Sequence, residues 1–159
     1  MIGVERMDPE RVVDRFEIQD LTVAYADAVD GKDWARFEAL FVPDGRIDYR
    51  EAGGPCGTPA EVAAWMPAAM STFKWSLHSM STQTVRFEGA GAARGTLHVL
   101  ARHGVEFEGA EEWMDVGAVY EDRYVRTAAG WRFAERVERT KYVVGGRFAA
   151  LVRQAAGIA

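Results

Sequence analysis

The chain has 159 residues, 48% of them hydrophobic, which is enough for one globular domain over 1–159 with a sizeable core. Its 19 basic and 24 acidic residues give a net charge of −5 without a basic cluster, so nucleic-acid binding is not expected, and no apolar run approaches the roughly 20 residues of a membrane span. The N-terminal sequence is too charged for a secretion signal and Cys56 has no second cysteine to pair with, so we expect a cytoplasmic protein.

The first part of the chain predicts two helices. Asp8 is a good N-cap and Pro9 suits the first helical turn, where a missing N–H costs nothing. Apolar residues then recur at helical spacing, which predicts a helix over 8–30. A second, short helix is expected over 33–41.

A turn, a strand and a third helix follow. The segment 43–49 predicts a proline-glycine turn leading into a short strand. After a glycine-rich loop, Thr58 and Glu61 stand at the spacing of a capping box. Together with the apolar residues that follow, they predict a helix that continues to about residue 73.

The second half of the chain changes to a strand pattern. Alternating segments separated by glycine-containing turns predict four strands, at 84–88, 95–103, 116–126 and 131–140. A short final helix is expected over 146–156. Helices first and an antiparallel meander second predict an α+β domain, in which the N-terminal helices close one face of a curved sheet.

The two histidines of the strand predicted at 95–103 differ in their expected surroundings. Strand alternation places His103 on the same face as Leu97 and Val99, whereas His98 lies on the opposite face. His103 is therefore either a core residue whose ring nitrogens have partners or a group that faces a pocket. His98 is expected to be exposed.

Other polar residues are candidates for a pocket. Asp30 closes the first helix, where the helix dipole disfavours a carboxylate, so it needs solvent or a partner such as a histidine. His78 precedes a strand and could face the mouth of a cavity. Tyr25 and Tyr49 could be core residues or hydrogen-bond donors to a carbonyl group. The histidines and Cys56 show no metal-ligand spacing and no phosphate-binding loop is present, so neither a metal nor an organic cofactor is expected.

Several segments resemble SnoaL-like proteins of the nuclear transport factor 2-like superfamily. They are YADAVDGKDW at 25–34, LFVPDGRIDYR at 40–50, a histidine before a strand, a strand ending in His103, and YEDRYVR…GWRF at 120–133. The resemblance covers about 10–142, leaves 143–159 as a C-terminal segment, and is closest in active-site pattern to the scytalone dehydratases. It implies a cone-shaped sheet of mixed and antiparallel strands closed by the N-terminal helices, the cystatin-like α+β arrangement.

The resemblance also implies roles for individual residues. Asp30 and His103 take the place of a buried Asp-His pair, His78 that of a second active-site histidine, and Tyr49 that of a tyrosine that polarises a carbonyl group. Val29 and Tyr120 stand where the dehydratases have a tyrosine and an asparagine. Two further residues, Tyr25 and Trp65, are candidates for substrate binding.

These roles predict a cofactor-independent acid–base lyase. The expected reaction is loss of water from a hydroxylated cyclic or polycyclic carbonyl compound in a hydrophobic pocket. An isomerase or polyketide cyclase with the same groups, or a protein that binds a small molecule without turnover, are the alternatives. The resemblance further implies a homodimer or homotrimer and a C-terminal segment that could cover the pocket.

Overall fold

The structure, a computed structural model, describes residues 8–158. Its helices are α1 (Pro9–Asp30), α2 (Trp34–Ala39), α3 (Pro59–Met70) and α4 (Arg147–Ala156), with a 3-10 turn at Arg50–Ala52. Its strands are β1 (Phe41–Asp48), β2 (Cys56–Gly57), β3 (Phe73–Phe87), β4 (Ala92–Phe107), β5 (Ala110–Thr127) and β6 (Gly130–Gly145). Our prediction that the N-terminal sequence is not a secretion signal concerns residues 1–7 in part, and these lie outside the described residues. None of the helices within 8–158 is both long and apolar enough to cross a membrane.

The helix starts follow the capping signals of the sequence. The Asp8 carboxylate accepts a hydrogen bond from the backbone N–H of Glu10 at 3.0 Å, which satisfies a free donor of the first turn of α1. At the start of α3, Thr58 and Glu61 bond to each other's backbone N–H groups as a complete capping box. These predictions are confirmed, although α3 ends at Met70 and α2 is shorter than expected.

One mixed sheet supports the domain. Its strand order is β2-β1-β6-β5-β4-β3, with β1 parallel to β6 and all other neighbours antiparallel. The predicted α+β fold with N-terminal helices against a curved sheet is confirmed. The expected turn within 43–49 is wrong, because β1 begins at Phe41 and absorbs Pro43 as an irregularity in its pairing with β6.

The core lies between the inner face of the sheet and the helices. Phe37, Ile47, Val62 and Phe133 are fully buried there. A buried ion pair crosses the same region, since Arg136 donates two hydrogen bonds of 2.8 Å to the Asp122 carboxylate. The guanidinium carbon of Arg136 also lies 4.1–4.2 Å from the ring centres of Tyr25, Tyr120 and Phe133. The core therefore holds a cation beneath a set of aromatic rings.

Candidate active site

A cavity of about 360 Å³ opens between the inner sheet face and helices α1, α3 and α4. Seven of the eight residues predicted for the site line it, namely Tyr25, Val29, Tyr49, Trp65, His78, His103 and Tyr120. The eighth, Asp30, lies behind His78 and is bonded to it. This volume is within the range of small-molecule sites. The structure thus brings the predicted residues together.

The Asp-His pair of the site is formed by Asp30 and His78, both of which are partly buried. Oδ1 of Asp30 lies 2.5 Å from Nδ1 of the His78 ring, and Oδ2 accepts the backbone N–H of His78 at 2.9 Å. The expectation that Asp30 pairs with His103 is wrong. The C-terminal end of α1 packs against β3, which carries His78, while His103 lies on β4, one strand further into the sheet.

The pair orients an imidazole toward the cavity. Burial alone would raise the pKa of Asp30, but the hydrogen bonds from the ring and backbone of His78 outweigh it, so the pKa lies below its usual value. An ionised Asp30 accepts the Nδ1 proton of His78. In the neutral form of that tautomer, Nε2 carries the lone pair that a general base requires.

His103 has different surroundings. Its Nδ1 lies 2.8 Å from Oγ of Ser76, and its ring stacks on Phe73 with 4.4 Å between ring centres. Burial, followed by repulsion from His78, lowers the pKa of His103 to about 4, so the ring is neutral at pH 7. The ring centres of His78 and His103 are 5.6 Å apart. The cavity therefore holds one histidine with a carboxylate partner and a neutral one beside it.

Two tyrosine hydroxyls form a second polar feature. The oxygens of Tyr25 and Tyr49 are 2.5 Å apart, and both side chains are buried. Burial raises the pKa of each phenol, so both stay protonated at neutral pH. Tyr120 also hydrogen-bonds to Tyr25, so the three hydroxyls share two bonds and one hydrogen is left to donate to a ligand.

The glycine-rich loop before α3 holds Tyr49 in place. Gly53 has φ +80°, which favours glycine. The N–H of Gly54 donates to the Tyr49 carbonyl oxygen at 2.8 Å, and a Cβ on Gly54 would approach that of Tyr49 to 2.8 Å. The loop can pack this closely only because side chains are absent.

Glu138 is a lining residue that sequence reasoning missed. It is 9% exposed, and burial raises the pKa of its carboxyl group to about 7. Alternation counted from the buried Phe133 would place Glu138 outward. The pairing with β5 shifts register after Phe133, and this bulge turns Arg136 and Glu138 inward. No pattern in the sequence indicates that bulge.

Other residues of the site were also not predicted, although patterns in the sequence could have indicated them. Ser76 stands two residues before His78 in β3, and residues two apart share a face of a strand, so alternation would have placed it beside the histidines. Phe148 and Val152 of the predicted final helix also line the cavity. Within 8–158, no three His, Cys, Asp or Glu side chains are grouped as a metal site requires. The histidine, tyrosine and glutamate side chains that line the cavity can transfer protons and form hydrogen bonds.

The comparisons with known proteins extend this description. A family model for the SnoaL-like domain matches residues 10–137. The uncharacterized protein Rv2910c of Mycobacterium tuberculosis (strain H37Rv) is 33% identical over 128 residues, which is 80% of this chain and 85% of that protein. An uncharacterized protein of Mycobacterium bovis shows the same identity and coverage.

Solved structures share the fold. The Kfla4162 protein of Kribbella flavida has a TM-score of 0.77 at 26% identity, covering 90% of this chain and 99% of that one. A protein of Novosphingobium aromaticivorans described provisionally as a scytalone dehydratase has a TM-score of 0.77 at 22% identity, covering 87% and 91%. A type 2 hexachlorocyclohexane dehydrochlorinase, LinA, has a TM-score of 0.76 at 21% identity, covering 88% and 93%. At 22% and 21% identity, the similarity to the last two structures shows a shared fold alone.

Proposed function

Because the chain belongs to the SnoaL-like domain family, we propose that it is a cofactor-independent acid–base lyase that removes water from a cyclic β-hydroxy carbonyl compound. The observation that carries the proposal is the 2.5 Å contact between Asp30 and His78 at the wall of a largely apolar cavity. The names of two structural neighbours, a dehydratase and a dehydrochlorinase, both describe eliminations and favour this reaction class.

The reaction begins with removal of a proton. Nε2 of His78 takes the hydrogen from the carbon next to the carbonyl group, and the electron pair of that C–H bond moves toward the carbonyl oxygen. Asp30 stabilises the resulting imidazolium while holding the ring in position. The hydroxyl hydrogen that the contacts among Tyr25, Tyr49 and Tyr120 leave free donates to the developing enolate oxygen.

The second step expels water. The electron pair returns from the enolate to form the carbon–carbon double bond, and the C–OH bond breaks. The imidazolium of His78 gives its proton to the departing oxygen, so the products are water and a conjugated carbonyl compound, and the base is restored. His103, neutral at pH 7, positions the departing hydroxyl by a hydrogen bond.

The cavity lining supports one class of substrate. Its walls combine Met66, Met70, Val99 and Val116 with aromatic side chains, which favour a flat, ring-bearing molecule. A volume of about 360 Å³ accommodates one or two fused rings with their substituents.

Mass spectrometry of products tests this function. The probe is 4-hydroxy-2-tetralone, which becomes 2-naphthol when it loses water. We expect the protein to accelerate this loss over buffer, and His78→Ala to reduce the acceleration on the order of 100-fold. A product of unchanged mass would indicate an isomerase or cyclase instead, and tight binding without any product would indicate a sequestering protein; either result would contradict the lyase proposal.

A further inference from the structure

Glu138 is a buried carboxyl group without an adequate partner. Within 8–158 the hydrogen bond that its side chain accepts comes from the Thr140 hydroxyl to Oε1, and at 3.4 Å that contact is long. A carboxylate can accept about four hydrogen bonds, and leaving that capacity unused in a buried site is costly. Since Glu138 lines the cavity, a molecule in the cavity can supply what the protein does not.

The neighbours of Glu138 leave this acceptor capacity open. The tyrosine hydroxyls of the same wall include the pair formed by Tyr25 and Tyr49, whose oxygens bond to each other. The guanidinium of Arg136, two residues earlier on β6, is directed to Asp122 through Nε and Nη2, while its Nη1 is buried without a hydrogen-bond partner. Among the residues at 8–158, none of these neighbours donates a hydrogen bond to Glu138, so a donor on a ligand can supply one.

The donor is better supplied by a neutral hydroxyl than by a cation. Arg136 is fully buried and already places a positive charge beneath the rings of Tyr25 and Tyr120, which would repel an ammonium group in the same wall. A hydroxyl adds no charge to that wall. It can donate to Glu138 while its oxygen accepts from a tyrosine.

The site is separate from the reacting histidine. His78 lies on β3 and Glu138 on β6, with β4 and β5 between them in the sheet. Their backbones are therefore separated by three strand spacings of about 4.8 Å each. A group bound at Glu138 therefore lies on another part of the ligand than the carbon that His78 addresses.

We propose that Glu138 is a specificity-determining residue, which binds a hydroxyl group carried on the ring of the ligand away from the reacting carbon. This deepens the proposed function, on which it rests, by making the substrate a ring ketone with an additional phenolic or alcoholic hydroxyl. The proposal concerns binding, so it can hold even if the elimination does not occur.

Calorimetric binding of matched ketones tests it. The probes are 1-tetralone and its 5-hydroxy and 7-hydroxy derivatives, which lack the β-hydroxyl and cannot be dehydrated. We expect at least one hydroxy compound to bind the wild-type protein about 10-fold more tightly than 1-tetralone, as a hydrogen bond to a charged group would give. In Glu138→Leu the preference should fall below about twofold. Turnover of 4-hydroxy-2-tetralone, measured separately, reports on the lyase proposal alone.

The matched control is Glu121→Gln. Glu121 is an exposed carboxylate paired with Arg139, outside the cavity lining, so its variant should keep the full preference. No preference in the wild type, equal preference in Glu138→Leu, or no binding of any of the three ketones would overturn the proposal.

A pH series keeps the proposal testable if Glu138→Leu fails to fold. Because the pKa of Glu138 is about 7, the accepting carboxylate forms as pH rises from 6 to 8, and affinity for the hydroxy ketone should increase over that window. The groups that face Glu138 are Thr140 and Arg136 on its own strand, Tyr120 on β5, Tyr25 on α1 and Glu51 on the 3-10 turn. Arg136 and the tyrosines keep their protons in this window, and Glu51 is exposed and pairs with Arg139.

An isosteric variant shows how much of the pH dependence of affinity comes from Glu138. Glu138→Gln preserves shape and one acceptor oxygen but cannot titrate, so its affinity should be flat where the wild type rises. His78 and His103 are present in both proteins, and their contribution cancels in the comparison. Parallel pH profiles for the wild type and Glu138→Gln would contradict the assignment.

Discussion

At the scale of single residues, the contact between Asp30 and His78 decides what the cavity can do. A helix end disfavours a carboxylate, and Asp30 stays there because His78 donates to both of its oxygens. The same contact fixes which ring nitrogen is free. A carboxylate that is held at an unfavourable end of a helix dipole and orients a histidine ring is typical of a functional site.

We predict that Asp30→Asn lowers kcat on the order of 100-fold or more, because an amide stabilises the imidazolium far less than a carboxylate does. The measurement is the rate of water loss from 4-hydroxy-2-tetralone. Asp27→Asn is the matched control, since Asp27 is exposed on the same helix and pairs with Arg36 at the surface. Equal rates for both variants, with unchanged unfolding midpoints, would remove Asp30 from the mechanism.

His103 should make stability depend on pH. Its pKa falls from about 6.5 in the unfolded chain to about 4 in the fold, so between these values the unfolded state binds the additional proton. The contribution is fully favourable above about pH 6.5 and is lost as pH falls toward about 4, amounting to about 2 kcal/mol between pH 7 and pH 5.

Urea unfolding at pH 7 and pH 5 measures this effect. His103→Gln should lose about 2 kcal/mol less than the wild type on acidification, whereas His98→Gln should behave as the wild type because His98 is exposed on the other face. Glu138 contributes with the opposite sign in the same range, since its pKa is raised, but it does so equally in all three proteins. An unchanged pH dependence in His103→Gln would show that this ring is not buried in its neutral form.

At the scale of elements, sequence patterns predicted the helices and most of the cavity. Capping chemistry at Asp8 and Thr58 and the alternation of β4 are local, so they can be read without a structure. The partner of Asp30 depends on which strand borders the end of α1, and Glu138 faces inward because of a bulge in β6. Both are consequences of long-range pairing, which a local pattern does not encode.

Helix α4 closes one side of the cavity. The N–H of Phe148 donates to the Glu112 carboxylate at 2.8 Å, and its ring stands edge-on to Phe73, which in turn stacks on His103. Strand β6 continues to Gly145, so the C-terminal segment expected at 143–159 begins inside the sheet. A truncation after Tyr142 would therefore remove part of the sheet, and the cut that isolates α4 lies after Gly146.

We predict that ending the chain after Gly146 weakens binding of 1-tetralone about 10-fold or more, since the ligand loses apolar contact with Phe148 and Val152. Calorimetry measures the change. Phe148→Ala should reproduce part of it, whereas Leu151→Ala should not, because Leu151 is half exposed on the outer side of the helix. Equal affinities for the full and shortened chains would mean that α4 is not part of the binding site.

At the scale of the whole molecule, the outer face of the sheet carries an apolar patch. It consists of Trp75, Leu77, Leu100, Trp113, Tyr142 and Val144, each 39–58% exposed. The rings of Trp75 and Tyr142 lie over Gly104 and Gly117, where a Cβ would come within 2.2 Å of them. The charges at its centre, Arg102 and Asp115, pair with each other.

We propose that this patch binds a second copy of the chain, since its charges are internally balanced and identical patches can meet without repulsion. Light scattering should give twice the chain mass of 17.6 kDa for the wild type, because identical patches that face each other form a dimer, and 17.6 kDa for Leu77→Glu. Val13→Glu, an equally exposed valine on α1, should keep the wild-type mass. A monomeric wild type, or an unchanged mass for Leu77→Glu, would exclude this patch as the interface.

Proton abstraction by His78 is the step on which the proposed elimination depends, and hydrogen–deuterium exchange measures it directly. In D₂O, the protein should accelerate exchange of the hydrogens next to the carbonyl group of 2-tetralone, and proton NMR measures the rate of this exchange. In His78→Ala the acceleration should fall on the order of 100-fold, while 2-tetralone still binds. Equal acceleration by both proteins, or none by the wild type with 2-tetralone bound, would contradict the assignment of His78 as the base.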